Sequence, residues 1–403
     1  MAKGQNFRAM RHHNFRVLYP ASVLSNIGTW AQRIAQDWLV LELTHSSTAL
    51  GIVTALQFAP TLVFSAFGGL LADRFDKRKL LFITNAGSGI VALVLGLLVI
   101  SGAANIWHVY FLAFVLGTFS AIDAPIRQTF TGELVDQTDV ANAISLNSVN
   151  FNIGRLVGPG VSGLLIAAFG TGPSFLLNAA TYVAVIFSLG FIRKNELNRQ
   201  PRSDSRVKMK TAFKYFTERR DLQIVLAVAF MGSTFGMNYQ IYNALMATQE
   251  FHKGPAEFGG LGTFLAIGSL TGALFTQRFE RFRNPKGITI SMMTFGLFIA
   301  LLSLSTSYEM YSLILPFGGM AGIVALVSAN TYVQTTTEPH LRGRIMGIYM
   351  TVLMGGTPLV SPILGWLADT VGIRLSIVTF GLLTAGLSVC AYLFINRTKN
   401  VSL

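Results

Sequence analysis

The chain has 403 residues, 52% of them apolar and only 12% charged, against roughly 25% charged in soluble domains. Its 31 Lys and Arg outnumber 18 Asp and Glu, giving a formal charge of +13. The scarcity of charge excludes an ordinary soluble domain, and the spacing of the basic residues along the chain excludes a nucleic-acid surface.

The N-terminal MAKGQNFRAMRHHNFR is polar and basic and leads straight into a full-length apolar run. It reads as a cytosolic lead-in rather than a signal peptide. Charge-free stretches such as Leu80 to Trp107 are long enough to cross a bilayer as helices. The pattern predicts twelve such helices, at about 15–41, 49–72, 80–101, 107–127, 141–169, 173–193, 222–247, 258–277, 287–306, 310–335, 344–367 and 373–395. The expected fold is therefore an all-α membrane protein of twelve transmembrane helices.

Arg33 and Arg155 lie within spans, and Lys253 and Arg374 fall on one side. Every other Lys and Arg lies in or beside the N-terminal tail, the loops after even-numbered spans or the C-terminal tail. Loops rich in Lys and Arg stay cytosolic, which predicts both termini inside the cell. Trp38, Trp107 and Trp366 fall near the opposite boundary, where indoles favour the headgroup zone.

Span one carries Arg33 and Asp37, four residues apart on one face. Arg155 in span five falls at a similar depth, so the three form a candidate network. Ionisable groups in a membrane are costly and default to a functional reading. Asp37 is then either a carboxylate that exchanges between Arg and a proton, or half of a permanent pair. Asp123 and Arg127, one turn apart near the end of span four, make either a gate or a second coupling site. Asn26 and Gln32 on span one are candidate cavity residues.

The stretch GGLLADRFDKRK ends span two, and GALFTQRFERFR repeats it 204 positions later. Gly68 matches Gly272, and Arg74-Phe75-Asp76 matches Arg278-Phe279-Glu280. In the fifth and eleventh spans Gly163 matches Gly365 and Gly170 matches Gly372. GWLAD, at Gly365 to Asp369, looks like GLLAD but belongs to this fifth-span repeat. The near-constant offset predicts two pseudo-symmetric six-helix halves, residues 1–192 and 222–403, a build typical of transporters. Between them, 193–221 is a basic cytosolic linker. Its VKMKTAFKYFTERRD sets Met209, Phe213 and Phe216 on one helical face among Lys208, Lys210, Lys214 and Arg219, an amphipathic helix suited to anionic lipid of the inner leaflet.

Gly69-x-Leu71-Ala72-Asp73-Arg74-x-Asp76-Lys77-Arg78-Lys79 resembles the loop signature of the major facilitator superfamily, and the likeness extends over essentially the whole chain. Asp76 stands where that signature has its second glycine, so the turn must close without glycine's left-handed freedom. Gly154-x-x-x-Gly158-Pro159-x-x-Ser162-Gly163 is similar to the motif of drug–proton antiporters. TWAQRIAQDWLVLELTHSS, APIRQTF and VANAISL look like the branch that contains the enterobactin exporter and bacterial multidrug exporters. The resemblance implies that Gly69, Asp73, Arg74, Arg78 and Arg127 form a conformational latch, with Asp73 docked on the start of span eleven. It also implies that the small residues of span five seal an interface; close packing alone explains them equally. By analogy the second-half cavity offers Asn238, Tyr239, Tyr242, Asn243, Asn330 and Gln334, with Met346, Met350 and Met354 on one face of span eleven. Helix packing is the plainer explanation of the same residues.

These signs predict a secondary active exporter of amphipathic small molecules such as drugs, driven by protons, in a bacterial plasma membrane. A dedicated siderophore or lysophospholipid carrier of the same fold is the alternative. No nucleotide-binding motif, metal-ligand spacing or catalytic constellation is present, so neither cofactor nor enzymatic activity is expected. The chain is expected to act as a monomer, and its one cysteine, Cys390, cannot form an intrachain disulfide. Cysteine introduced at Ser203 should react with an impermeant thiol reagent from the cytosol only, and at Gly254 from outside only. Labelling of Gly254 from the cytosolic face would overturn this orientation.

Overall fold

Helix after helix runs through the computed structural model, which describes residues 7–198, 209–278 and 280–399. Ser203, Lys208 and Phe279 lie outside them. The long helices of the first half of the sequence are α1 (His13–Thr44), α2 (Ser47–Arg74), α3 (Lys77–Ile100), α4 (Ile106–Glu133), α5 (Val140–Phe169) and α6 (Gly172–Gly190). Then come the short α7 (Met209–Glu218), α8 (Arg220–Met231) and α9 (Tyr239–Leu245), followed by α10 (Pro255–Arg278), α11 (Pro285–Leu302), α12 (Tyr308–Thr336), α13 (Arg342–Val371) and α14 (Ile373–Lys399). No strand occurs among the described residues.

Eleven segments are long and apolar enough to cross a membrane. The first predicted span is not among them. It forms a helix of 32 residues, long enough at 1.5 Å per residue, but Gln32, Arg33, Gln36, Asp37 and Glu42 dilute its hydropathy. The seventh span also departs from expectation. It is not one α-helix: π-helical turns at Gly232–Gly236 and Met246–Glu250 flank the seven residues of α9. Hydropathy cannot register such a break.

Helix starts are encoded locally. Asp76, Asn105, Asn284 and Ser307 each accept a hydrogen bond from the amide three residues on, at 3.1, 3.1, 3.0 and 3.2 Å, which satisfies an otherwise orphan donor. Asp76 has φ −64°. The signature's missing glycine is therefore accommodated by an extended N-cap and not by a left-handed residue.

Contacts divide the chain into two units. The first comprises the described residues within Met1–His45, Leu56–Ser203 and Gly254–Thr263; the second, those within Ser46–Ala55, Asp204–Lys253 and Phe264–Leu403. Each thus takes in the opening turns of one helix from the other half of the sequence. In the first unit these are turns of α10, packed on α5: a Cβ at Gly163 would lie 2.6 Å from the carbonyl oxygen of Pro255, and Thr263 Oγ1 donates to the Leu156 carbonyl at 3.1 Å. In the second they are turns of α2, packed on α13, where Gly51 and Gly365 abut the backbone of Ser361 and Ser47. Asp369 completes that contact. Its carboxylate accepts from the amides of Ser47 and Thr48, both at 2.8 Å, from Thr48 Oγ1 at 2.7 Å and from Ser46 Oγ at 3.0 Å. The repeat reaches the backbone as well: His45 and His252 are left-handed at φ 52° and 49°, and Gly170 and Gly372 at 78° and 88°.

The two basic residues that stand apart in the topology have structural work. Arg374 bonds Glu250 at 2.5 Å and the carbonyls of Ser303 and Ser305 at 2.8 and 2.7 Å, while Lys253 lies 5.9 Å from the Tyr308 ring centroid. Trp107 and Trp366 are 74% and 58% exposed, but Trp38 stacks on Phe258 and donates to Glu42 at 2.7 Å. The linker forms its amphipathic helix, α7, with Ala212 buried and Phe213 exposed.

Because Gly163 meets backbone, Gly163→Val should lower the unfolding free energy in detergent by about 1–3 kcal/mol. Gly347, inside α13, has open space around a Cβ, so Gly347→Ala should raise it by about 0.5–1 kcal/mol. Thermal unfolding of the two purified variants checks both signs.

Candidate functional site

A cavity of 620 Å³ lies wholly within the first unit. It begins where α1 and α5 begin, with Phe15, Leu18, Leu134 and Ile144 at that end, and runs inward to Asn26, Thr29 and Arg33 on α1 and Tyr182 on α6. Most of its lining is amide or hydroxyl: serines and asparagines of α1, α3, α4 and α5.

Asp123 and Arg127 stand in its wall, paired at 2.7 Å. Thr84 Oγ1 donates to Asp123 at 2.6 Å and Asn85 Nδ2 at 3.0 Å. Arg127 returns to Asn85 Oδ1 at 3.2 Å and reaches Ser22 Oγ at 3.5 Å. Three helices therefore share one charged network. Protonation of Asp123 at Oδ2 would convert the acceptor that Arg127 uses into a donor, so proton occupancy and the hold between α3, α4 and α1 are linked.

The other intramembrane charges converge differently from the expected triad. Trp30 is the centre: the Arg33 guanidinium lies 4.9 Å from its ring centroid and that of Arg155 5.8 Å. Arg33 also lies 5.1 Å from the Phe58 ring. An aromatic face attracts a cation most strongly where water is excluded. Asp37 acts electrostatically on Arg33 but is fully buried and does not line the cavity. Trp30 was visible in the sequence beside Arg33; that it would also meet a side chain of α5 was not.

The motif of span five serves two faces. Gly154 and Gly158 admit Trp30, Asn26 and Ile27 of α1, while Pro159 and Gly163 admit the start of α10. Ser162 is buried 3.3 Å from Ser174 Oγ of α6. Asn26 lines the cavity and donates to Asn150 at 2.9 Å. Gln32, expected beside it, is 1% exposed and accepts from Asn178 at 2.7 Å in the α1–α6 contact. That expectation is corrected: a polar residue on a long helix satisfied a neighbouring helix.

Four second-unit candidates are corrected for a related reason. Asn238, Tyr239, Tyr242 and Asn243 are all buried. Asn238 Nδ2 donates to the Thr234 carbonyl at 2.8 Å and Tyr242 to the Phe235 carbonyl at 2.7 Å, so they serve the broken helix. Asn243 accepts from Tyr311 at 3.0 Å. Asn330 accepts from Gln334 at 2.7 Å. Met346 is half-buried, and Met350 and Met354 are 41% and 45% exposed.

Of the latch candidates, Asp73 and Arg74 are exposed, and Gly69 and Arg78 half-buried. Arg78 donates to the Gly190 carbonyl at 2.9 Å and Lys77 pairs with Glu133 at 2.7 Å. Sequence reasoning missed Thr84, Asn85, Glu133 and Asp369. Glu133 and Asp369 each sit at the end of an apolar run, which was the available signal. Among the described residues, no group of three His, Cys, Asp or Glu could hold a metal.

Paired helical units, a polar cavity and charges buried among spans define a multi-pass integral membrane transporter of small molecules, not an enzyme. A family model described as transmembrane secretion effector matches residues 5–401, and the chain belongs to that family, within the major facilitator superfamily. It is similar to the staphyloferrin A transporter of Staphylococcus aureus (strain NCTC 8325 / PS 47), at 27% identity over 96% of this chain and 98% of that one. It is also similar to the enterobactin exporter EntS of Shigella boydii serotype 18, at 24% identity over 88% and 85%. Among solved structures, a bacterial homolog of the human lysosomal transporter Spinster, inward-facing and unoccupied, matches with TM-score 0.78 and 14% identity over 97% and 98%, which shows the fold.

Trp30→Leu removes the ring that two guanidiniums share and should destabilise the protein by about 1–3 kcal/mol. Trp30→Phe keeps a ring face and should recover part of the loss. Thermal midpoints of the two variants in the same detergent read the difference.

Proposed function

We propose that this protein is a proton-coupled exporter of oxygen-rich chelators of the siderophore class. One observation carries the reading: the cavity is lined by amides and hydroxyls and holds Arg33 and Arg127 against the single acid Asp123. A net positive, donor-rich cavity suits carboxylate or phenolate oxygens and penalises organic cations. The names of the staphyloferrin A and enterobactin relatives support the same class. Amphipathic drugs remain the second reading, favoured by the exposed Met350 and Met354 of α13, since Met adapts to varied apolar shapes.

A coupling carboxylate must reach water and must bind something when it loses its proton. Asp123 lines the cavity beside Arg127 and meets both demands. Asp37 is sealed, so in this reading it and Arg33 hold the inner end of the cavity. The latch role of Gly69, Asp73, Arg74 and Arg78, and the sealing role of Gly154, Gly158, Pro159, Ser162 and Gly163, belong to the same proposal. So does the setting: a bacterial plasma membrane, termini cytosolic by the Lys and Arg bias, α7 on the anionic inner leaflet, and a single chain as the working unit.

Inverted vesicles carrying the protein, given a pH gradient and a panel of metal-free siderophores, dyes and cationic drugs, test the substrate. Carboxylate and catecholate chelators should accumulate and the cations should not; the opposite ranking would reject the reading. In the same assay Asp123→Asn should abolish concentrative uptake into the vesicles and spare downhill exchange. Asp37→Asn should keep coupled transport; if it alone loses coupling, the proton site moves to Asp37.

A further inference from the structure

A second cavity, of 340 Å³, opens in the first unit away from the polar one. It sits where two spans end: α3 begins at Lys77 and α6 finishes at Gly190. Its lining changes character sharply. Arg78, Lys79 and Lys194 contribute charge, and Phe82, Ile83 and Ile186 contribute an apolar wall. Phe82 and Ile83 are 50% and 59% exposed, so that wall continues into a surface that faces lipid in a spanning helix. The cations therefore lie at the level of the headgroups and the wall at the level of the acyl chains.

We propose that this pocket binds an anionic phospholipid, its phosphate held by Arg78, Lys79 and Lys194 and one acyl chain laid along Phe82, Ile83 and Ile186. The site is built before any lipid arrives. Arg78 donates to the Gly190 carbonyl at 2.9 Å, which fixes the guanidinium across the gap between α3 and α6 and leaves its other donors for a phosphate. The only acid in the lining, Asp76, accepts from the Lys79 amide at 3.1 Å as the N-cap of α3, so its charge is directed at the helix end. Three cations then face one committed carboxylate, and an anion is the complementary charge. Free phosphate would use the cations alone and gain nothing from the wall; a neutral zwitterionic lipid would use the wall and little of the charge. A phospholipid with a net negative headgroup uses both. The inference is independent of the transported substrate.

The test uses the purified full-length protein in phosphatidylcholine nanodiscs doped with phosphatidylglycerol, with lipid retained on the protein measured by native mass spectrometry. Near an anionic surface each lysine is worth about fivefold. The double variant Lys79→Gln with Lys194→Gln should therefore lose phosphatidylglycerol retention by about twenty-fivefold, while Lys79→Arg with Lys194→Arg keeps it. Ile186→Trp leaves every charge in place but fills the pocket, and should also lose retention; this variant decides the matter should the glutamine pair misfold. Equal retention by wild type and Ile186→Trp would overturn the proposal. So would phosphatidylcholine held as firmly as phosphatidylglycerol. Displacement of the lipid by inorganic phosphate at comparable concentration would show a free-anion site instead, and would equally overturn it.

Discussion

Close backbone contact between helices is the constraint on which the rest of this structure depends. Lipid tails are as apolar as the side chains of a span, so helices gain nothing by hiding apolar surface from water and must associate through packing and hydrogen bonds. Here that contact is made at small residues. Gly154 and Gly158 of α5 receive α1; Gly163 receives α10; Gly365 receives α2; Gly296 of α11 and Gly381 of α14 receive each other. At each of these, a Cβ would press on backbone, which cannot rotate away as a side chain does. The helices meet closely enough for short polar side chains to reach across, which is why Thr84 and Asn85 touch Asp123 directly.

The same closeness decides which polar groups are available to a substrate. A buried amide that finds a partner on the next helix is spent, as Gln32 is on Asn178 and Asn243 on Tyr311. What remains for chemistry is polar lining that faces a void. In the first unit that void is bordered by Asn26, Ser120, Asn147 and the Asp123–Arg127 pair. Charge and cavity therefore coincide at Asp123, whereas at Asp37 charge and burial coincide without a cavity. A carboxylate's position relative to water, more than its depth in the membrane, separates a candidate for proton exchange from a structural anchor.

Much of the architecture was legible because its signals are local. Apolar runs, capping residues at Asp76, Asn105, Asn284 and Ser307, and the repeated glycines of the fifth and eleventh spans all declare themselves within a few residues. The i, i+4 pair of Asp123 and Arg127 was equally readable. What escaped was what depends on a second helix. Nothing in the first helix says that Gln32 turns to α6, or that Trp30 meets Arg155. The break in span seven was hidden for a different reason: hydropathy is blind to whether a turn holds four residues or five. Asn238, Tyr239 and Tyr242 consequently looked like cavity residues when they close the carbonyls and gaps of that break. Asp369 was passed over because its neighbours marked it as part of a repeat, while its role lies in the start of α2.

The π-helical turns at Gly232–Gly236 and Met246–Glu250 have a consequence for descent as well as for shape. A π turn holds an additional residue relative to an α turn while the flanking helix keeps its course. Each is therefore the trace of a one-residue insertion absorbed without displacing the neighbours. Relatives with a straight seventh helix should be one residue shorter at those two places, and an alignment that ignores this will shift Asn238 and Tyr242 by about 100° around the helix, pairing them with residues that face elsewhere.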